Sequence, residues 1–488
     1  MNLSKTKYCN AIQCNKMLWL LDNKPEEKEE EDLTSIMDNG NEVHKVARNL
    51  FIDHINIPYN DNLSIMIDFT NKLLTKENVV ITEASFKYDN LFASIDILNK
   101  KGNDIEIYEV KGSTKLKDVF IEDISYQSYI LHKLGYNITK CYVVHLNSSY
   151  KRNNELDLNK LFTLEDVTED VLNNFSNVEK NINDINKYMK RKDEENKKIS
   201  LSCFEPYKCP FFKYCTKDLP EDNIFDLPKM QTKTKLKYYD NGNISYEDLL
   251  KEDLNDNFRR IIEYKLYDKE DYIDKEEIKN FMKTITYPLY FLDFETYQTP
   301  VPIYDGISPY EQIPFQYSLH YYEDENSELE HKEFLAKEGT DPRRRLAEQL
   351  VNDIPKDVCT LAYNMSFEKT VIKNLSNIFP DLKEHLMNIH DNIKDLMIPF
   401  QKGYYYTKNM KGSYSIKYVL PALFPEDEEL NYKNLDLIHN GSEAMNAFNG
   451  LENKSKEEIE YIRERLLRYC ELDTYAMVKI YKKLKNIK

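Results

Sequence analysis

What this sequence lacks bounds it first. No stretch approaches the roughly 18 consecutive apolar residues needed to cross a bilayer, and the N-terminus, MNLSKTKYCN, has no apolar run of the kind that directs secretion. The expectation is a cytoplasmic protein with no membrane contact. Basic charge is short: 67 Lys and Arg face 84 Asp and Glu, a formal net charge of −17. That argues against a coat of positive charge around nucleic acid and leaves only local basic grooves for a polyanion. Part of the deficit is one run, EEKEEED at Glu26–Asp32, which reads as a solvated loop or helix face. The 8 cysteines are too sparse for a disulfide scaffold in 488 residues, and in a reducing compartment clustered cysteines more often hold metal. Glycine is scarce throughout and no internal repeat is present, so composition alone marks no boundary.

What is there is ordinary for a folded protein: 31% charged and 41% hydrophobic residues, in a chain long enough for two or three domains. VVITEASF, LFASIDIL and IEIYEVKG, between residues 79 and 112, are rich in β-branched and aromatic residues and predict a meander. Helical spacing follows over 118–134, then a strand at 141–146, and a charged, helical pattern over 165–200. A second α/β region opens at YPLYFLDFET, with a strand IPFQYSLHYY, helices near 340–352 and 366–377, and a long helix over 455–486. The fold class read from this alternation is α/β.

Two constellations carry chemistry. In the first, a strand holding Asp96 is followed by one holding Glu109 and Lys111, which period-two alternation points to the same side. Two carboxylates can hold Mg²⁺ or Mn²⁺ through oxygen, and a lysine can orient the attacking water or stabilise charge. Acids and bases alternate on many exposed hairpins, so the pattern gains meaning only from its context. Upstream, Gly40 and His44 lie on a helical stretch, where His44 can add a nitrogen ligand; downstream, Gln127 and Tyr129 lie on the next helix. The order GxxxH, D, ExK, QxY resembles the RecB-type PD-(D/E)xK nucleases, and among them the iron-sulfur branch that includes CRISPR-associated nucleases. The resemblance implies that His44, Asp96 and Glu109 bind metal, that Lys111 assists attack, and that Gln127 helps hold the site and DNA.

Cys203, Cys209 and Cys215 are spaced C-x5-C-x5-C, and thiolates so placed suit a cluster or zinc. Cys14, in QCNKMLWLL, lies in the surroundings where the iron-sulfur branch keeps its fourth ligand. Long, uneven spacing favours a [4Fe–4S] cluster, with zinc as the alternative and Cys9 as a spare ligand. The first interval departs from relatives, which commonly show C-x2-C before C-x5-C.

In the second constellation, Asp293 and Glu295 project from one face of an apolar strand, and buried paired carboxylates call for a cation. Asn364 and Glu368 lie at a loop-to-helix start; Tyr469 and Asp473 are one turn apart on the last helix. Four acids in this order resemble the DnaQ-type exonucleases of the RNase H-like fold. There the acidic set binds two divalent metals and a tyrosine, here Tyr469, orients the water. Glu368 stands where the family commonly has aspartate; Asp395 is a replacement acid or a cap. Between these motifs, Lys402, Tyr404 to Tyr406, Lys408, Lys411 and Lys417 interleave rings with charges, which is either a single-strand groove or a core-facing strand with a solvated side.

From KTKYCNAIQCNKMLWL to RYCELDTYAMV the chain resembles a bacterial family that joins these two nuclease domains. The resemblance implies a RecB-like, restriction-endonuclease-type core with a four-cysteine cluster over 1–220, a linker or intermediate helical segment over 221–284, and a DnaQ-like exonuclease domain over 285–488. The function it implies is a metal-dependent nuclease with nucleic acid as partner, DNA favoured over RNA. RNA exonuclease action through the C-terminal domain, or a nucleic-acid-binding scaffold with a degenerate site, are the alternatives.

Overall fold

Alternating β-branched and aromatic residues over 78–111 build two tight hairpins in the computed structural model, which describes residues 2–30 and 34–487. Strands β3 (Asn78–Tyr88) and β4 (Leu91–Lys101) turn at Asp89–Asn90; β4 and β5 (Asp104–Lys111) turn at Gly102, whose φ of 61° is left-handed. Helix α5 (Asp118–Lys133) then crosses over to β6 (Asn137–Leu146), which runs parallel to β5. With β1 (Leu3–Ser4), β2 (Ile55–Asn56) and β7 (Phe162–Asp166) this makes a seven-stranded mixed sheet, ordered β2-β3-β4-β5-β6-β7 with β1 beside β4. One face packs on α5 and on α1 (Lys5–Gln13), through Tyr8, Ile95, Ile107, Ile124 and Ile130. The other face packs on α3 (Thr34–Ala47), through Val43, Ala47, Tyr108 and Val110.

The 165–200 segment differs from its sequence pattern. Helices span Thr168–Asn173 and Phe175–Tyr188, after which the chain runs without regular structure to Ser200. Val178, Ile182 and Ile185 give the helix a buried stripe, whereas KRKDEENKK from Lys190 to Lys198 offers nothing to bury, and propensity alone does not sustain a helix in water. Of the acidic run, Glu31 and Asp32 lie outside the described residues; Glu29 accepts the Lys213 backbone N–H at 2.9 Å.

The chain divides into two compact units: one made of residues up to Leu219 with Thr232–Leu236 and Thr299–Tyr310, the other of Pro220–Gln231, Lys237–Gln298 and Glu311 onward. Segment 299–310 closes the α3 face of the first unit: Val301 is buried in that core, and the Tyr310 hydroxyl donates to the Gly112 carbonyl at 2.7 Å.

The second unit is built on a five-stranded sheet, β11-β10-β9-β12-β13. Strand β9 (Leu289–Tyr297) is central, antiparallel to β10 (Ile313–Tyr322), which pairs with β11 (Glu330–Leu335); β12 (Cys359–Ala362) lies parallel to β9, and β13 (Ile393–Asp395) parallel to β12. Being central, β9 is apolar on both faces. Tyr290, Leu292 and Phe294 pack on the helices Arg343–Asp353 and Ser366–Ile378; Leu289 and Phe291 pack on the long helix Lys456–Lys485 through Leu472 and Ala476. Residues 221–284 are largely helical and hold their own small core, with Ile224, Leu227, Leu249 and Ile262 buried. A short ladder pairs β8 (Tyr272–Ile273) with β14 (Tyr405–Tyr406). Among the described residues no helix is long and apolar enough to cross a membrane.

Candidate functional sites

In the first unit the polar residues gather where β3 and β4 lose their regular alternation. On β4, Leu91, Ala93 and Ile95 face the α5 core, and the pattern breaks at Asp96 and resumes at Leu98; on β3 it breaks between Ile81 and Ala84. Thr82 pairs Ile97 and Ala84 pairs Ile95, which leaves Glu83 opposite Asp96 with φ 60°, a left-handed conformation unusual for glutamate. The result is that His44, Glu83 and Asp96 each offer a ligand atom within 4.8 Å of the others. Arg48 donates to Glu83 at 2.6 Å, Ser94 to Glu83 at 3.3 Å, and the Val110 backbone N–H to Asp96 at 2.7 Å. His44 Nδ1 lies 3.7 Å from Asp96.

Glu109 is fully buried beside this trio and is held by Lys5 at 2.6 Å, Lys111 at 2.8 Å and the Gln127 amide at 2.7 Å. Lys111 also contacts Asp123. Burial by itself would push the Glu109 carboxyl up, but Lys111 and Lys5 hold it below the usual carboxylate range. Asp96 is pushed up to about 6, by burial and then by the charge of Glu109. The five residues expected here are thus brought together. Glu83, Lys5 and Asp123 were missed: Glu83 enters through a backbone kink, Lys5 from a helix 104 residues away, and Asp123 through Lys111.

The four expected cysteines line one small cavity with Met17, Leu20, Lys16, Lys197 and Lys198. The turns there are local: the Cys209 backbone N–H donates to the Cys203 carbonyl at 2.9 Å, and Cys14 ends α1 and precedes α2 (Asn15–Asn23). Burial raises the Cys203 and Cys215 thiols and takes Cys209 to about 12. Among the described residues no three of these sulfurs approach within 4.8 Å of one another, as a single tetrahedral ion would require. Cys9 faces elsewhere, its thiol donating to Asp123 at 2.7 Å.

In the second unit, Asp293 and Glu295 leave β9 on the face covered by the helix Lys456–Lys485, and with Asp473 they bring ligand atoms within 4.8 Å of one another. Asp293 and Glu295 are pushed well above the usual carboxylate range, by burial first and then by Asp473. Asp473 rises to about 6 through burial; Tyr432 and Lys417 pull the other way. Glu368, in the first turn of helix Ser366–Ile378, is buried, its Oε2 has no hydrogen-bond partner, and burial takes it to about 8. Its charge acts on Asp293 and Glu295, but it stands outside the three acids whose ligand atoms lie within 4.8 Å of one another.

Asp395 resolves as a cap: it accepts the backbone N–H groups of Asn364 at 3.0 Å, Met365 at 3.3 Å and Met397 at 2.9 Å, fixing the turn that launches Glu368. Tyr469 is buried one turn before Asp473, its phenol pushed up by burial and by Asp473. Sequence reasoning missed Tyr432, which donates to Asp473 at 2.5 Å from a turn with no periodic pattern. The interleaved stripe divides: Tyr405 and Tyr406 are buried in the core and Lys408 pairs with Asp268, whereas Lys417 acts on Glu295 and Asp473.

A family model, a domain of unknown function (DUF2779), matches residues 290–415, a span that contains Asp293, Glu295 and Glu368. No curated protein matches the chain.

Proposed function

We propose that this chain is a metal-dependent nuclease with two centres, a RecB-type unit and an RNase H-like, DnaQ-type unit, acting on DNA in preference to RNA. The observation that carries the reading is the convergence of Asp293, Glu295 and Asp473, from a central strand and a distant helix, on a space one divalent ion can fill. A buried set of uncompensated acids is costly unless a cation joins it. Mg²⁺ or Mn²⁺ there would polarise a phosphodiester and lower the pKa of a bound water. Of the chain's own groups, Tyr432 and Tyr469 both hydrogen-bond the Asp473 carboxylate, and Tyr469 would orient the water from there. Glu368, with its unpartnered oxygen, is the ligand available to a second ion. In the first unit, His44, Glu83 and Asp96 would hold the ion and Lys111 would orient the nucleophile. The four cysteines would hold a [4Fe–4S] cluster that clips the ends of that unit together; iron analysis and absorbance near 400 nm of anaerobically purified protein test this, and zinc without iron overturns it.

The test of the main reading is a panel of labelled DNA and RNA oligonucleotides with Mg²⁺ or Mn²⁺, run on the native chain, Asp96→Ala and Asp293→Ala. Hydrolysis that needs the metal, each variant losing a different part of it, is the expected result. Intact substrates throughout would sink the idea. A narrower reading, in which only the second unit is catalytic, is favoured by one contrast: Glu109 has both oxygens taken by the chain's own donors, whereas Glu368 keeps a buried oxygen with no partner. It predicts that Asp96→Ala changes nothing.

A further inference from the structure

The cage around Glu109 has one open corner. Gln127 is fully buried and the Lys111 side chain is 17% exposed, but that of Lys5 is 26% exposed, so Lys5 is the more open of the two cations on Glu109. Helix stability does not place it there. Lys5 is the first residue of α1, where an ammonium meets the positive end of the helix dipole. Nor does Glu109 need it as a sole partner, since Lys111 and Gln127 already donate to that carboxylate.

Charge gives the positive argument. Four carboxylates, Glu83, Asp96, Glu109 and Asp123, face three fixed cations, Arg48, Lys5 and Lys111, which leaves one net negative charge. A divalent ion overshoots that by one, and a single phosphodiester restores neutrality. The set is balanced for ion and substrate together; Lys5 and Arg48 are equally exposed, but Arg48 is held on the ion ligand Glu83, which leaves Lys5 to meet the substrate.

We propose that Lys5 is a phosphate-binding residue of the first unit's site: it rests on Glu109 Oε1 without substrate and passes to a phosphodiester oxygen when the substrate enters, leaving Lys111 on that oxygen and Gln127 on the other. Its position is set by α1, held by the Tyr8 ring stacked on Tyr126 at 4.6 Å and by Cys9 on Asp123. The inference rests on the reading of this site as a metal-dependent nuclease centre.

The experiment uses the full chain carrying Asp293→Ala and Asp473→Ala, which disables the second unit's metal centre, and reads the change that a Lys5 substitution makes in that background. Binding of a fluorescent DNA duplex is measured across a salt series with Ca²⁺ holding the complex without turnover, and Mn²⁺ affinity is measured separately. Lys5→Gln, which keeps a donor for Glu109 but removes the charge, is expected to weaken DNA binding and flatten the slope of log Kd against log salt by about 0.9, one phosphate contact. Mn²⁺ binding should tighten, and Lys5→Arg should restore the slope. An unchanged slope in Lys5→Gln, with Mn²⁺ still bound, overturns the role of Lys5 alone. If Asp96→Ala does not alter Mn²⁺ binding in the same background, the site is not a metal centre and both readings fall.

Discussion

At the scale of residues the two acid sets solve one electrostatic problem in opposite ways. Glu109 carries its own cations, so its folded pKa is lowered and its stabilising contribution is present above its unfolded value of 4.5. The second unit's acids are raised. A carboxyl of that kind stabilises the fold below its unfolded pKa, and the contribution is lost as pH rises through the folded value. Asp473 moves from 3.8 to about 6 and Glu368 from 4.5 to about 8, so the metal-free protein should lose stability between about pH 4 and pH 8. Melts in EDTA are expected to show Tm falling across that window, and Mn²⁺ to flatten the fall by binding the ionised form. Asp293→Asn removes one repelling charge and should raise the metal-free Tm at pH 8 by about 2–4 °C while removing the second unit's share of the response to Mn²⁺. A lower Tm than the native chain in EDTA would mean that something other than metal compensates these acids. Asp293, Glu295 and Asp473 were legible because strand and helix periods fix where they point. Glu83 was not, because its direction depends on one left-handed backbone angle that sequence patterning does not encode.

At the scale of elements, function depends on how ends are fixed. Asp395 was read as either a ligand or a cap, and only the backbone could decide: three N–H groups converge on it, from the turn before helix Ser366–Ile378 and from the chain after β13. Asp395→Ala leaves those donors without their acceptor, at a cost of about 1–3 kcal/mol for each that stays buried. It should lower Tm and reduce hydrolysis by the second unit while Mn²⁺ still binds Asp293, Glu295 and Asp473. Loss of that Mn²⁺ binding would instead make Asp395 a ligand. The tyrosines of the interleaved stripe show the opposite limit of legibility. Alternating rings and lysines fit a groove and a core strand equally well, and β14 pairing with β8 sends Tyr405 and Tyr406 inward.

At the scale of the molecule, the coarse α/β organisation followed from runs of strand-forming and helix-periodic residues, but the membership of the two units did not. Segment Thr299–Tyr310 lies in sequence between β9 and β10 of the second unit, yet belongs to the first. A fragment of residues 1–220 therefore lacks Val301 and Tyr310 from the core against α3. It is expected to melt lower than the first unit of the full chain by the few kcal/mol of a lost core side chain, read as broader, earlier thermal unfolding. Equal melting would show the segment to be dispensable. The same feature bears on descent. A single crossover that exchanged either half with another gene would separate Val301 from the core it completes. The two carboxylate centres are therefore expected to be inherited together, because the first unit's core is completed by residues encoded in the second half of the gene.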